Sequence, residues 1–472
     1  MPIATSRIVQ FATIVTAFVS HAATVCAQSL DEPPTYNAAS ADASTSDASV
    51  AQGEQVASTN GVQNSSTSTI DEVADGRPIS SASEGSSRTA SRANVTLGGY
   101  AETFWQYNFN QPFDGTTHNR AFDSVHNGIT ISNVVLDAQW SWQRVTGRIA
   151  LQVGHTADLM YADELSAVGP TTAAMWRLLQ QAWIAYRAPI GRGLLFEAGL
   201  FLSPIGPEGM PVKDQWNWSR SNLFSALPYY HTGVRATYAL GRTMALSVGG
   251  YNGWNKLFVD NNAEKSLSVQ WTYNRPDHFT ASVLYFSGNE RNLYTIAGRG
   301  WRHTFDSYAQ WTVTSWLSLM AHANGGFEPV FEGEPRGASR YNGTQWWFGA
   351  ALYARVQPVR WLYLAVRGDY LTESLANRPT DPATMALSEP APIVTAQRTL
   401  LNDPAFSPLG SVTATADFRP HDNLSLRVEY RHDESSGFLF SDNTRFLPTA
   451  DPRHPGMTSA QNTLTLGATA WY

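Results

Sequence analysis

Seven arginines and seven carboxylates recur at alternate positions of short segments whose intervening residues are apolar. The arginines are Arg148, Arg187, Arg235, Arg355, Arg367, Arg427 and Arg431. The carboxylates are Glu102, Asp137, Glu197, Asp306, Asp369, Asp417 and Glu429. In an extended strand, residues i, i+2 and i+4 share one face, so charged side chains gather on one side and apolar ones on the other. The chemistry this serves is electrostatic guidance along a polar wall. Seven cations against seven anions argue against strong ion selectivity, which follows rings of one sign. Yet Arg355, Arg367, Arg427 and Arg431 crowd the last third of the chain, and a guanidinium holds its charge in a fixed, oriented fork. Two readings stay open: a free basic ladder along one wall, or arginines paired with Asp369, Asp417 and Glu429.

A second cluster lies in the connection 203–228, with Lys213, Asp214, Trp216, Trp218 and Arg220. Pro and Gly at its start would help it bend inward as a constriction. Its tryptophans could stack on sugar faces, or sit in an aromatic belt and hold the loop to the rim. Asp260, Asn261, Asn262 and Glu264 offer oxygen ligands suited to Ca²⁺, but without the glycine and spacing of an EF-hand loop. The histidines are scattered. Neither H-E-x-x-H nor G-x-S-x-G occurs, and there is no P-loop or dinucleotide fingerprint. His231 falls on an inward face near Tyr230 and Arg235 and reads as a solvated polar residue. No catalytic residue, cofactor, metal or nucleic-acid partner is expected.

The elements that must position these residues are strands. Period-two segments lie near 95–107, 128–142, 146–154, 178–188, 194–202, 229–240, 243–251, 265–273, 278–287, 303–312, 316–324, 344–356, 361–370, 409–419, 424–432 and 461–472. The connections between them alternate long and tight, the tight ones rich in Gly, Pro, Asn and Asp. The long ones include 325–343 and 371–408. Faces follow from alternation. Leu424, Leu426, Val428 and Tyr430 point out, while Ser425, Arg427, Glu429 and Arg431 point in. A slip of one residue would put arginines into lipid at about 2–4 kcal/mol each near the midplane. The expected fold is all-β, a transmembrane antiparallel up-and-down barrel of about sixteen strands over 94–472. An even count leaves both ends of the barrel on one side, the periplasm. No run of eighteen apolar residues exists, so helical spans are excluded. The 16 Trp, 19 Tyr and 21 Phe suit the two headgroup belts.

Residues 1–27 read as a signal peptide, with Arg7, an apolar Ile8 to Val19 stretch and a small-residue site at Val25, Cys26 and Ala27. Cleavage there removes the lone cysteine and with it any disulfide or thiol chemistry. Residues 28–93 are Ser- and Ala-rich, with nine acidic and three basic side chains. So little apolar surface cannot offset chain entropy, and the segment is expected to be a disordered periplasmic linker. The negative balance of the chain belongs mostly to it.

Several stretches also resemble a known family. They are Gly99 to Asn110 (G-Y-A-E-T-F-W-Q-Y-N-F-N), Gln181 to Tyr186 and Gly199 to Gly206 (G-L-F-L-S-P-I-G). Ser219 to Leu223, Tyr230 to Arg235 and Asn252 to Trp254 follow in order. These are similar to the OmpL-like outer-membrane β-barrel porins. The resemblance implies an outer-membrane porin, without naming a solute, and covers about a third of the chain. By resemblance to other outer-membrane proteins, the terminal strand ending in Trp471 and Tyr472 would be read by the barrel-assembly machinery.

The expected function is passive diffusion of small hydrophilic solutes across the outer membrane of a Gram-negative bacterium. The expected partners are lipid, lipopolysaccharide, those solutes and the assembly machinery, with a homo-oligomer left open. The alternative is a structural or adhesive barrel acting through its outer loops; a barrel hydrolase is a third reading.

Overall fold

The computed structural model describes residues 93–162, 175–258, 264–290, 301–332, 340–374, 408–435, 437, 439–443 and 456–472. The signal peptide and almost all of the linker lie outside the described residues, as do Asp260, Asn261 and Asn262.

Sixteen strands close into one antiparallel barrel. They are β1 (Asn94–Asn108), β2 (Ile129–Trp142), β3 (Val145–Val153), β4 (Leu179–Ala188), β5 (Leu194–Leu202), β6 (Tyr230–Ala239), β7 (Met244–Tyr251) and β8 (Ser266–Arg275). There follow β9 (Phe279–Asn289), β10 (Trp301–Thr314), β11 (Leu317–Glu332), β12 (Arg340–Val359), β13 (Leu362–Ser374), β14 (Leu409–His421) and β15 (Leu424–Ser435). The last long connection carries a two-stranded ribbon, β16 (Phe440–Ser441) with β17 (Met457–Thr458), before β18 (Ala460–Trp471). Neighbours in sequence are neighbours in the barrel, and β18 closes on β1 with Tyr100 opposite Trp471. The Gly99 and Tyr472 backbones exchange two hydrogen bonds of 3.2 Å at that seam. Closure leaves no open sheet edge, the condition for a sheet in hydrocarbon.

The faces follow the alternation. On β15, Ser425, Arg427, Glu429 and Arg431 are buried inside, while Leu426 and Val428 are exposed outside. Trp142, Trp316, Trp361, Phe418 and Tyr472 are exposed near the short-turn rim, as an aromatic girdle requires. One expected boundary changes. Residues 325–343, read as a loop, mostly continue β11 and β12, paired out to Glu332 opposite Arg340. The glycines and Pro329 that suggested a loop are absorbed by the ladder, and Pro329 sits at a register shift, where a missing N–H is tolerated.

Among the described residues the long connections also hold a short helix, α1 (His155–Met160), and the 3₁₀ turns Val212–Asp214 and Asn222–Ala226. The interior of the barrel is where the buried residues gather, and most are polar or charged.

Candidate functional site in the barrel lumen

The connection after β5 turns into the barrel. Its base is closed by the Ser203 N–H donating to Tyr229 O at 2.9 Å, and Gly206 takes φ +80°, a left-handed conformation that glycine adopts freely. From there the loop crosses the lumen, and strand carboxylates take its backbone N–H groups in turn. Gly206 donates to Asp306 on β10 at 3.0 Å, and Val212 to Glu102 on β1 at 2.6 Å. Trp218 and Ser219 both donate to Glu429 on β15, at 2.5 and 2.9 Å, and Asn222 donates to Asp369 on β13 at 2.9 Å. Bonds from backbone N–H to a carboxylate are charge-assisted, about twice as strong as neutral ones.

Arginines take the loop's carbonyls. Arg367 donates to Ser219 O at 2.5 Å and Arg220 O at 3.1 Å, and pairs with Asp369 at 3.0 Å and with Glu208 of the loop at 3.2 Å. Arg431 donates to Arg220 O at 2.5 Å and pairs with Asp433 at 2.8 Å. Arg427 donates to Asn217 O at 3.2 Å and lies 3.3 Å from Asp417. A backbone carries an acceptor at every residue and a donor at every residue but proline. Walls that hold one therefore need carboxylates and guanidiniums together, which is a physical reason for the near balance of inward charge. Two wall glycines make room for the loop's side chains: a Cβ at Gly467 would lie 2.2 Å from the Trp218 ring, and one at Gly349 2.6 Å from Leu223.

The connection after β1 folds in over this loop. Phe122 packs against Phe224 and Tyr229, and the Arg220 guanidinium lies 5.4 Å from the Phe122 ring centre. Arg120 pairs with Asp433 at 2.8 Å and lies 3.7 Å from Asp123. Burial pushes the Asp123 carboxyl up, against the pull of Arg120. At the start of α1, His155 Nε2 lies 2.9 Å from Ser124 Oγ, and burial pushes that imidazole down.

The remaining inward residues divide by partner. Arg148 pairs with Asp137 at 2.6 Å and Arg235 with Glu197 at 2.7 Å. Asp306 also pairs with His322 at 2.7 Å, and Lys213 with its neighbour Asp214 at 2.9 Å. Arg187 is exposed at the short-turn end of β4. His231 corrects its reading as a solvated residue: it is fully buried between Tyr251 and Phe286, with Ser203 Oγ 3.2 Å from Nε2. The tryptophans are corrected too. Trp218 is buried against Phe104 and Trp216 is buried near Tyr353, so neither belongs to a rim belt and Trp218 offers no sugar platform.

Arg355 differs from the other three arginines of its group. It is half-buried, with its guanidinium 4.7 Å from the Trp216 ring centre and 5.2 Å from that of Tyr363. Arg419 continues the series, 4.8 Å from Tyr363 and 5.8 Å from Trp471.

Several residues of this site escape a reading by segments. Asp433 and Arg302, the latter paired with Glu328 at 2.8 Å, lie where strands run past their expected ends, and their parity was the available signal. Arg120, Asp123 and Glu208 sit on connections, where no periodicity marks a face.

No curated protein matches the chain in sequence. Among solved structures, the outer membrane channel DcaP of Acinetobacter baumannii aligns at TM-score 0.48 and 11% identity, over 81% of this chain and 99% of that one. An anion-selective porin from Comamonas acidovorans aligns at 0.48 and 9%, over 81% and 100%. OmpF of Salmonella typhi, in complex with daunomycin, aligns at 0.45 and 11%, over 80% and 97%. The family described as "Putative beta-barrel porin-2, OmpL-like" matches residues 94–470. That match runs from the first strand of the barrel to the last, and the chain belongs to the OmpL-like β-barrel porin family of the outer membrane.

Proposed function

We propose that the barrel is a passive diffusion channel for small hydrophilic solutes, with the loop 203–229 as its constriction. The observation that carries this reading is the anchoring of that loop. Carboxylates and arginines from β1, β10, β13 and β15 hold its backbone inside the lumen at fixed points. A loop fixed this way narrows a wide barrel to a defined aperture without a moving part. Diffusion through it is governed by size and by the charges beside the loop.

In the same reading, residues 1–27 are removed on export and residues 28–93 form a periplasmic spacer. The test is reconstitution of the purified full-length protein in planar bilayers. Stepwise current increments, with neutral solutes excluded above a sharp size limit, are the expected result. Inserted protein that passes no current refutes the channel.

A further inference from the structure

Below the constriction, toward the short-turn rim, five side chains alternate between ring and cation along one wall. Trp216 of the loop lies against Arg355 on β12, Arg355 against Tyr363 on β13, Tyr363 against Arg419 on β14, and Arg419 against Trp471 on β18. The cations here outnumber their carboxylates. Asp417 accepts from Arg419 at 2.9 Å and from Ser425 at 2.6 Å, and also faces Arg427 at 3.3 Å. One carboxylate thus serves two guanidiniums, and Arg427 Nη2 is buried without a hydrogen-bond acceptor. Glu429, the next carboxylate on this wall, is committed to the loop and Thr415.

Arg355 has no carboxylate partner and no hydrogen-bond acceptor among the described residues; aromatic rings alone hold it. Cation–ring contacts fix a guanidinium in place but leave its N–H donors free. The result is an oriented, partly desolvated fork of donors open to the lumen, in a neighbourhood of surplus positive charge. A carboxylate is the planar anion whose two oxygens match that fork, and the adjoining Trp216 and Tyr363 rings favour an organic anion over an inorganic one.

We infer that Arg355, flanked by Trp216 and Tyr363, is a binding site for small organic carboxylates on the short-turn side of the constriction. The inference rests on the diffusion reading only in that solutes reach the site through the lumen. A carboxylate leaving the narrow loop meets the one arginine of this wall with neither an acceptor nor a carboxylate of its own.

The test uses benzoate, its neutral isostere benzamide, and inorganic phosphate, bound to purified full-length protein in detergent at low salt and followed by saturation-transfer NMR. Benzoate is expected to bind and benzamide and phosphate to bind far more weakly. Arg355→Gln should weaken benzoate about tenfold, the loss of a charge-assisted bidentate contact. Arg242→Gln, which removes a cation from an exposed turn, should leave binding intact. Arg355→Lys keeps the charge but loses the planar fork and should give an intermediate loss, which keeps the test decisive if the Gln variant does not insert. Equal binding of benzoate and benzamide, or benzoate affinity indifferent to Arg355, overturns the site. Phosphate bound as tightly as benzoate overturns the carboxylate class. Benzoate bound by a protein that passes no current refutes the channel while the site stands.

Discussion

Arg367 and Arg355 sit on paired strands with the same inward parity, Arg367 opposite Tyr353 and Arg355 opposite Ala365, yet they do opposite work. Arg367 is fully buried and spends its donors on two carboxylates, two loop carbonyls and two hydroxyls, those of Ser219 and Thr413. Arg355, two positions nearer the short-turn rim, lies against the Trp216 and Tyr363 rings and has no acceptor for its N–H groups among the described residues. Identical residues on neighbouring strands become an anchor or a binding group according to whether the loop meets them with backbone carbonyls, as at Arg367, or with a ring, as Trp216 does at Arg355.

The largest expected effect breaks the anchored side. Arg367→Met strands Asp369 and Glu208 as buried charges, a loss of about 3–5 kcal/mol. It also removes the guanidinium donor from Ser219 O, while Arg220 O keeps Arg431. The temperature at which the folded band converts on unboiled gels should fall sharply, and surviving channels should show larger, noisier currents. An unchanged transition would mean that the loop is held elsewhere.

Gly467→Val attacks the same loop from its far end, because any Cβ there meets the Trp218 ring. Overpacking of this kind costs about 1–3 kcal/mol. Tryptophan emission should shift to the red as Trp218 leaves its site against Phe104. If the emission does not move, Trp218 is not seated there.

Glu429→Gln is milder. The amide can still accept a hydrogen bond, but the charge that receives the Trp218 and Ser219 N–H groups is gone. A loss of about 1–2 kcal/mol is expected for exchanging charged for neutral acceptors. Flickering between current levels is the readout; a steady current equal to the parent's would show that Glu429 does not hold the loop.

The smallest effect on stability, and the sharpest on selectivity, belongs to the ring-held side. Arg355→Gln with Arg419→Gln should cost under about 1 kcal/mol, since both residues are partly exposed to the lumen. It should move the reversal potential in a salt gradient toward cation preference, because positive charge leaves a wall where it is in surplus. If this pair destabilises the barrel as strongly as Arg367→Met does, Arg355 and Arg419 are anchors of the same kind as Arg367.

The strands were legible because lipid imposes a strict rule: every outward side chain must be apolar, so alternation marks each segment and its register. Extents were less legible at the long-connection ends of β11 and β12, where Gly325, Gly326 and Pro329 interrupt the alternation. The inward charges were visible as a set, but of the expected pairs only those with Asp369 and Asp417 form: Arg431 takes Asp433, Glu429 holds the loop, and the four arginines make no free ladder. Arg367, Arg427 and Arg431 are engaged, while Arg355 is not.

What the sequence determined by itself is the barrel: strand number, faces, closure and the apolar exterior, all local consequences of period-two patterning against lipid. Tertiary contacts alone fix which inward charges the loop backbone engages and which it leaves to aromatic rings. That depends on where the 203–229 backbone crosses the lumen, and the crossing is set by contacts between residues as far apart in the chain as Val212 and Glu102 or Ser219 and Glu429. Hydrogen bonds between a loop backbone and distant strand side chains leave no period in the sequence, because a backbone N–H is the same for every residue except proline.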